Sequence, residues 1–234
     1  MPALDPGAYD VLTFDCFGTL VDWETGLSRA LREALPATEA SDDELLERYA
    51  DHESAAERPP YRSYREVMAA AARGVAADLG QPLPDEGAGV AASLPYWPPF
   101  PDSGAALRRL QRRFRLSPIT NCDTELFLQA ATGLGVDFDW MITAEMARSY
   151  KPDHAMFELA FERIPVARAR MLHVAQSLFH DHVPARELGL DSVWIDRRHG
   201  RPGRGATPEA ADVSPLATFP DMASFAAVMV PDED

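Results

Sequence analysis

The chain has 234 residues, of which 46% are hydrophobic and 25% charged, and a formal net charge of −15. That much apolar content is enough to bury a substantial core. The acidic excess excludes general binding to nucleic acid or to an anionic membrane, both of which need basic faces, so an anionic ligand must meet positive charge gathered locally.

In chain order, residues 1–8 carry neither the basic start nor the apolar stretch of a secretory leader. No apolar run approaches the roughly 20 residues needed to span a bilayer. Two cysteines, Cys16 and Cys122, are too few for a disulfide framework and suit a reducing compartment, so the expected location is the cytoplasm. Val11, Leu12, Thr13 and Phe14 form a short β-rich run that stops at Asp15, with Gly18 close behind, which predicts a buried strand breaking into a tight turn. From 23 to 95 the texture is Ala, Glu, Arg and Leu. Leu27, Ala30, Leu31 and Leu35 recur at helical spacing, as do Val67, Ala70, Ala71 and Val75, and this predicts a helical subdomain.

Residues 95–101 are rich in proline and aromatics and read as a stiff re-entry segment. The rhythm then alternates: helix 103–113, strand 114–120, helix 123–134, strand 140–143, helix 153–163, strand 171–175, helix 183–189 and strand 192–195. Residues 199–214 read as a loop. The basic run at 108–115 is read as a solvated helix end. Alternating short strands and helices predict a doubly wound parallel α/β sheet. The expected division is a core of 1–22 with 96–234 and an inserted helical cap of 23–95.

In such a sheet, ligands bind beyond the carboxyl ends of the strands. Following each predicted strand are Asp15, then Thr120 and Asn121, then Lys151, then Asp181. A nucleophile, hydrogen-bonding groups, a cation and a second acid are a set suited to covalent catalysis. Lys and Arg together number 22, yet Lys151 is the sole lysine. A compact ammonium kept where every other cation is arginine points to a close approach to a carboxylate.

At these residues the chain resembles the haloacid dehalogenase superfamily. Phe14, Asp15, Cys16, Phe17, Gly18, Thr19 and Leu20 look like its first motif, and Thr120 and Asn121 like its second. Tyr150, Lys151, Pro152 and Asp153 look like the third, and His180 and Asp181 fall in the fourth. The resemblance implies a Rossmann-like core with a helical cap and a hydrolase with Asp15 as nucleophile. Lys151 would lower the pKa of Asp15, Asp181 with Asn121 or Thr120 would place a water, and Thr19 would support Asp15. Thr120, Phe17, Ser177, His180 and the cap residue Arg48 are the expected substrate contacts, with Arg62 and Arg65 as alternatives to Arg48.

Phosphatases of the superfamily carry an aspartate two residues after the nucleophile, to protonate a departing alkoxide. Here that residue is Phe17. Halide ions are weak bases and leave without a proton. The resemblance is therefore nearest to the metal-independent L-2-haloacid dehalogenase branch, acting on short 2-haloalkanoic acids without a cofactor. The alternative is a Mg-dependent phosphatase acting on a small phosphoester. The expected partner is a small anionic substrate, with no nucleic acid and no membrane, and a homodimer is compatible with this reading. A soft-metal site from His180, Asp181, His182, Cys16 and Cys122 matches no zinc spacing. His173, inside a predicted strand, reads as a core histidine.

Overall fold

The computed structural model describes residues 4–199, 210 and 213–232. Its core is a six-stranded sheet in the order β3-β2-β1-β4-β5-β6, every neighbouring pair parallel. The strands are β1 (Val11–Phe14), β2 (Arg115–Thr120), β3 (Ile142–Thr143), β4 (Met171–Ala175), β5 (Asp191–Ile195) and β6 (Ala217–Phe219). All four residues of β1 are buried, and so are all five of β4. A parallel strand covered on both faces needs such a continuous apolar run, which explains why no alternation is visible there.

β1 lies at the point where the winding changes direction. β2 and β3 extend the sheet on one side of it, and β4, β5 and β6 on the other. The register Phe14↔Pro118 and Phe14↔Val174 brings the carboxyl ends of the three central strands to one edge. This switch point is where an open α/β sheet offers a crevice.

Between β1 and the re-entry segment at 95–101 stand four helices: α1 (Trp23–Ala34), α2 (Asp42–Ala56), α3 (Tyr64–Asp78) and α4 (Ala88–Ser93). Their starts are written locally. Asp22 accepts from Thr25 N at the head of α1, and Ser41 with Glu44 and Ser63 with Glu66 form reciprocal capping boxes on α2 and α3. Asp123, expected at the start of the helix after β2, turns its carboxylate to α3 instead. It accepts from Tyr64 N at 2.7 Å and Arg65 N at 3.0 Å, satisfying orphan donors of α3 and fastening the inserted helices to the core. Gly26 lets α1 approach the re-entry segment, since a Cβ there would fall 2.3 Å from the Trp97 ring.

The remaining helices are α5 (Ser103–Leu110), α6 (Thr124–Ala131), α7 (Ala144–Ala147), α8 (Ala155–Arg163), α9 (Val183–Glu187) and α10 (Met222–Met229). Sequence patterning finds the expected elements but overruns several ends. Strand 140–143 shrinks to Ile142–Thr143, and helix 123–134 ends at Ala131 with a 3₁₀ turn after it. It also misses β6 and α10, which follow the predicted loop. That loop, apart from 199, 210, 213 and 214, lies outside the described residues. No described helix is long and apolar enough to cross a membrane.

Candidate active site

Asp15 is the first residue beyond β1, and its backbone N–H donates to Val174 O at 3.1 Å, so the main chain is still held by the sheet. Gly18, at φ +96°, then turns the chain sharply and brings Thr19 back toward the strand end. Thr19 donates its hydroxyl to Asp15 Oδ2 at 2.7 Å and accepts from Gln176 N at 2.9 Å. The nucleophile candidate is thus anchored by Val174 of β4 and, through Thr19 in the turn after β1, by the main chain just past β4.

Lys151 is buried, and its ammonium spends all three donors. Nζ donates to Asp15 Oδ1 at 3.0 Å, Asp181 Oδ1 at 2.7 Å and Ile119 O at 2.8 Å. Asn121 fixes the lysine's main chain from both sides, accepting from Lys151 N at 2.7 Å and donating to Lys151 O at 3.1 Å. Its amide is therefore occupied in holding the cation rather than turned to a water.

Asp181 sits within a π-helical turn over Leu178–His182 that leads into α9, a distortion often found at functional sites. Ser177 caps this turn by accepting from His180 N at 3.0 Å, and Asp181 itself serves no capping role. Asp181 Oδ1 also contacts His173 Nε2 at 2.9 Å, while His173 Nδ1 contacts Thr13 Oγ1 at 2.9 Å. Asp181 Oδ2 is buried with no hydrogen-bond partner. His173, expected to be a core histidine, is thus the group that orients the second acid.

Burial pushes the Asp15 carboxyl above its usual range, while Lys151 and Thr19 pull it back. The expectation that Lys151 lowers the pKa of Asp15 holds for its own contribution, but desolvation outweighs it. Burial pulls Lys151 down, yet the charges of Asp15 and Asp181 more than reverse this and keep the ammonium protonated. Asp181 is likewise disfavoured by burial, but Lys151 and His173 drive it well below the ordinary carboxylate range. Burial drops the imidazole of His180 to about 4, so it stands neutral.

These groups face a cavity of about 50 Å³, room for roughly four water-sized groups. Its floor holds Asp15, Thr120, Asn121, Lys151, Ser177, His180 and Asp181, with Phe17 beside them; the inserted helices contribute Trp23, Glu53, Glu57 and Tyr64. Nine of the ten sequence-predicted site residues therefore meet in one place, Thr19 from behind Asp15. Arg48 does not join them: it is partly exposed and faces Asp78 at 3.8 Å. Arg62 and Arg65 are absent from the lining too, and no arginine lines the cavity among the described residues. The reason is helical phase. Glu53 lies seven residues after Leu46 and four after Tyr49, on the buried stripe of α2, whereas Arg48 lies off it.

The sequence reading missed Trp23, Glu53, Glu57 and Tyr64 as well as His173. A signal existed for Glu53, as an acid inside an apolar stripe. The others leave no mark distinguishing them from packing residues.

The donor set does not fit a resident magnesium ion. Such an ion needs hard oxygen ligands, but the facing oxygens of Asp15 and Asp181 are already bridged by the Lys151 ammonium. No group of three or more acids, histidines or cysteines suited to a metal occurs among the described residues. The soft-metal idea fails for a separate reason: His182 is committed to Ala175 O and Ser192 Oγ.

A family model described as haloacid dehalogenase-like hydrolase matches residues 9–177. The chain belongs to this family. Among curated relatives of this haloacid dehalogenase-like hydrolase, haloacetate dehalogenase H-2 of Moraxella is 33% identical over 118 residues, covering 48% of this chain and 52% of that protein. The chain thus spans about half the length of the first curated relatives it matches. A 5-amino-6-(5-phospho-D-ribitylamino)uracil phosphatase of Escherichia coli is 28% identical over 210 residues, covering 83% of this chain and 86% of that one. Among solved structures, the L-2-haloacid dehalogenase of Xanthobacter autotrophicus superposes with a TM-score of 0.81 at 18% identity, over 96% of this chain and 100% of that one. That likeness is one of fold.

Proposed function

We propose that this hydrolase cleaves the carbon–halogen bond of short 2-haloalkanoic acids through an ester on Asp15. The observation carrying this reading is the Lys151 ammonium bridging Asp15 and Asp181 in a small cavity where residue 17 is phenylalanine. The Asp15 carboxylate attacks C2 from the side opposite the halogen; a C–O bond forms, and the halide leaves with the C–X electron pair. Thr120 Oγ1, buried and without a partner, is available to donate to the substrate carboxylate. Water then attacks the ester carbonyl of Asp15, with Asp181 Oδ2 accepting its proton. As the C–O bond to Asp15 breaks, that proton passes to the departing alkoxide, giving the 2-hydroxy acid, and Asp15 returns to the carboxylate by losing a proton to solvent. Lys151 stabilises charge on Asp15 in both halves, and His173 keeps Asp181 in position.

The inserted helices wall one side of the site, and we propose that they form a cap of 23–95 on a core of 1–22 and 96–234. Asp22 N donates to Pro98 O at 2.8 Å where the chain leaves and returns. A small anionic substrate is the proposed partner, and no cofactor is assigned.

The E. coli relative favours a second reading, hydrolysis of a small phosphoester. Halide release from L-2-chloropropionate with chelator present, beside phosphate release from p-nitrophenyl phosphate with magnesium, separates the two. The proposal requires halide and no metal dependence. Phosphate without halide reverses it.

A further inference from the structure

Back-side displacement fixes where the halide goes. With Asp15 at the floor, the departing atom moves along the line away from it, toward the wall supplied by the inserted helices. That wall holds Trp23, Glu53, Glu57 and Tyr64 and carries neither arginine nor lysine. The one cation, Lys151, is on the floor with its three protons engaged. An anion released there has to be received by neutral donors. One is in place: the indole N–H of Trp23, buried and without a hydrogen-bond partner. An unmet buried donor at a cavity wall is an uncompensated cost in the empty protein, relieved when an acceptor arrives.

Resting on the dehalogenase reading, we infer that Trp23 and Glu57 form the seat of the leaving halide, Trp23 as a permanent N–H donor and Glu57 as a donor through its carboxylic proton. In the first half-reaction the halide departs with the C–X electrons, and both groups hydrogen-bond to it without losing their protons. Deprotonated Glu57 repels the same ion, so the seat works only while Glu57 is neutral.

The surroundings of Glu57 favour that neutral state. Glu53 faces it from α2 and Tyr64 from α3, while Asn121 donates to its Oε1 at 3.4 Å from the end of β2. Lys151 and Tyr150 approach from the loop after α7, and Asp15, His180 and Asp181 from the floor. Asp51, Arg58 and Asp153 stand at the open side of the seam. Burial and the neighbouring Glu53 raise the Glu57 carboxyl well above its ordinary value, against a smaller opposing pull from Lys151 and Asn121.

Sodium bromide titrated into the whole protein tests this, with melting temperature and tryptophan fluorescence read against sodium gluconate at equal ionic strength. At about pH 6 bromide binds saturably, and by about pH 9 it binds at least tenfold more weakly. Trp23→Phe weakens binding at least tenfold at both pH values. Glu53 titrates on the same wall, so Glu57 is tested in Glu53→Gln: that variant keeps the pH dependence, and adding Glu57→Gln, an amide that donates without ionising, abolishes it. Absence of bromide binding in the wild type overturns the inference, as does equal binding at both pH values or a pH dependence in Glu53→Gln that survives when Glu57→Gln is added. The two ideas fail separately: bromide binding without turnover rejects the dehalogenase reading and keeps the seat, and turnover without bromide binding does the reverse.

Discussion

Lys151 Nζ lies 3.0 Å from Asp15 Oδ1 and 2.7 Å from Asp181 Oδ1, so a single ammonium joins the acid of the first strand to the acid of the fourth motif. Two buried carboxylates cannot both stay ionised at this range without such a charge between them. Lys151→Met therefore affects both function and folding. Halide release falls by about 10³-fold, and stability in urea falls by about 3–5 kcal/mol. Lys151→Arg fails too, because a planar guanidinium does not fit a site built around three short contacts to a point charge. Unchanged urea midpoints would show that the bridge carries no weight.

Asp181→Asn separates the two half-reactions. Alkylation of Asp15 does not need a base, whereas hydrolysis of the ester does. The variant should accumulate a covalent adduct on the protein, seen by intact-mass spectrometry after incubation with 2-chloropropionate. An unmodified mass with a slow steady turnover would remove Asp181 from the hydrolytic step.

His173 acts on substrate only through Asp181, with Thr13 behind it. Loss of one charge-assisted hydrogen bond corresponds to about 10- to 100-fold in rate. His173→Phe is expected to lower kcat by that factor while KM stays within about twofold. A KM change as large as the kcat change would mean that the cavity, rather than the acid, had moved.

Glu53 gives the stability a pH signature. Burial raises its carboxyl from the ordinary 4.5 to about 7, and the hydrogen bond from Tyr64 offsets this only in part. The folded state then binds more protons than the unfolded one between these values. Its stabilising contribution is complete below about pH 4.5 and is lost as pH rises through about 7. Glu53→Gln keeps an acceptor for Tyr64 without an ionisable proton. Relative to wild type, it should gain about 3 kcal/mol on going from pH 4.5 to pH 8 in urea melts. Parallel pH profiles for the two proteins would contradict this.

Strand ends were legible because parallel strands are short apolar runs interrupted by chemistry. Asp15 stands out because a charged residue directly after a buried run has little structural purpose, whereas Lys151 and Asp181 stand out as charges in the connections that leave β3 and β4, Lys151 also as the sole lysine. His173 was hidden because a polar residue within β4 also reads as a satisfied core group, and only the register Thr13↔His173 shows what it holds. Residues reaching the cavity from the inserted helices depend on helix phase and docking angle. Arg48 therefore looked suitable by position, while Glu57, one residue past the end of α2, reaches the cavity. The β6 and α10 pair escaped because the preceding Gly- and Pro-rich stretch hides the return of the α/β rhythm.

The central claim is that Asp15 forms an ester and that water attacks its carbonyl. A single turnover with enzyme in excess over 2-chloropropionate, run in ¹⁸O-water, tests it directly. If the claim holds, the product hydroxyl carries ¹⁶O from the protein, and the heavy atom is found in the Asp15 peptide. Heavy oxygen in the product, with an unlabelled Asp15 peptide, would mean that water attacks the substrate itself.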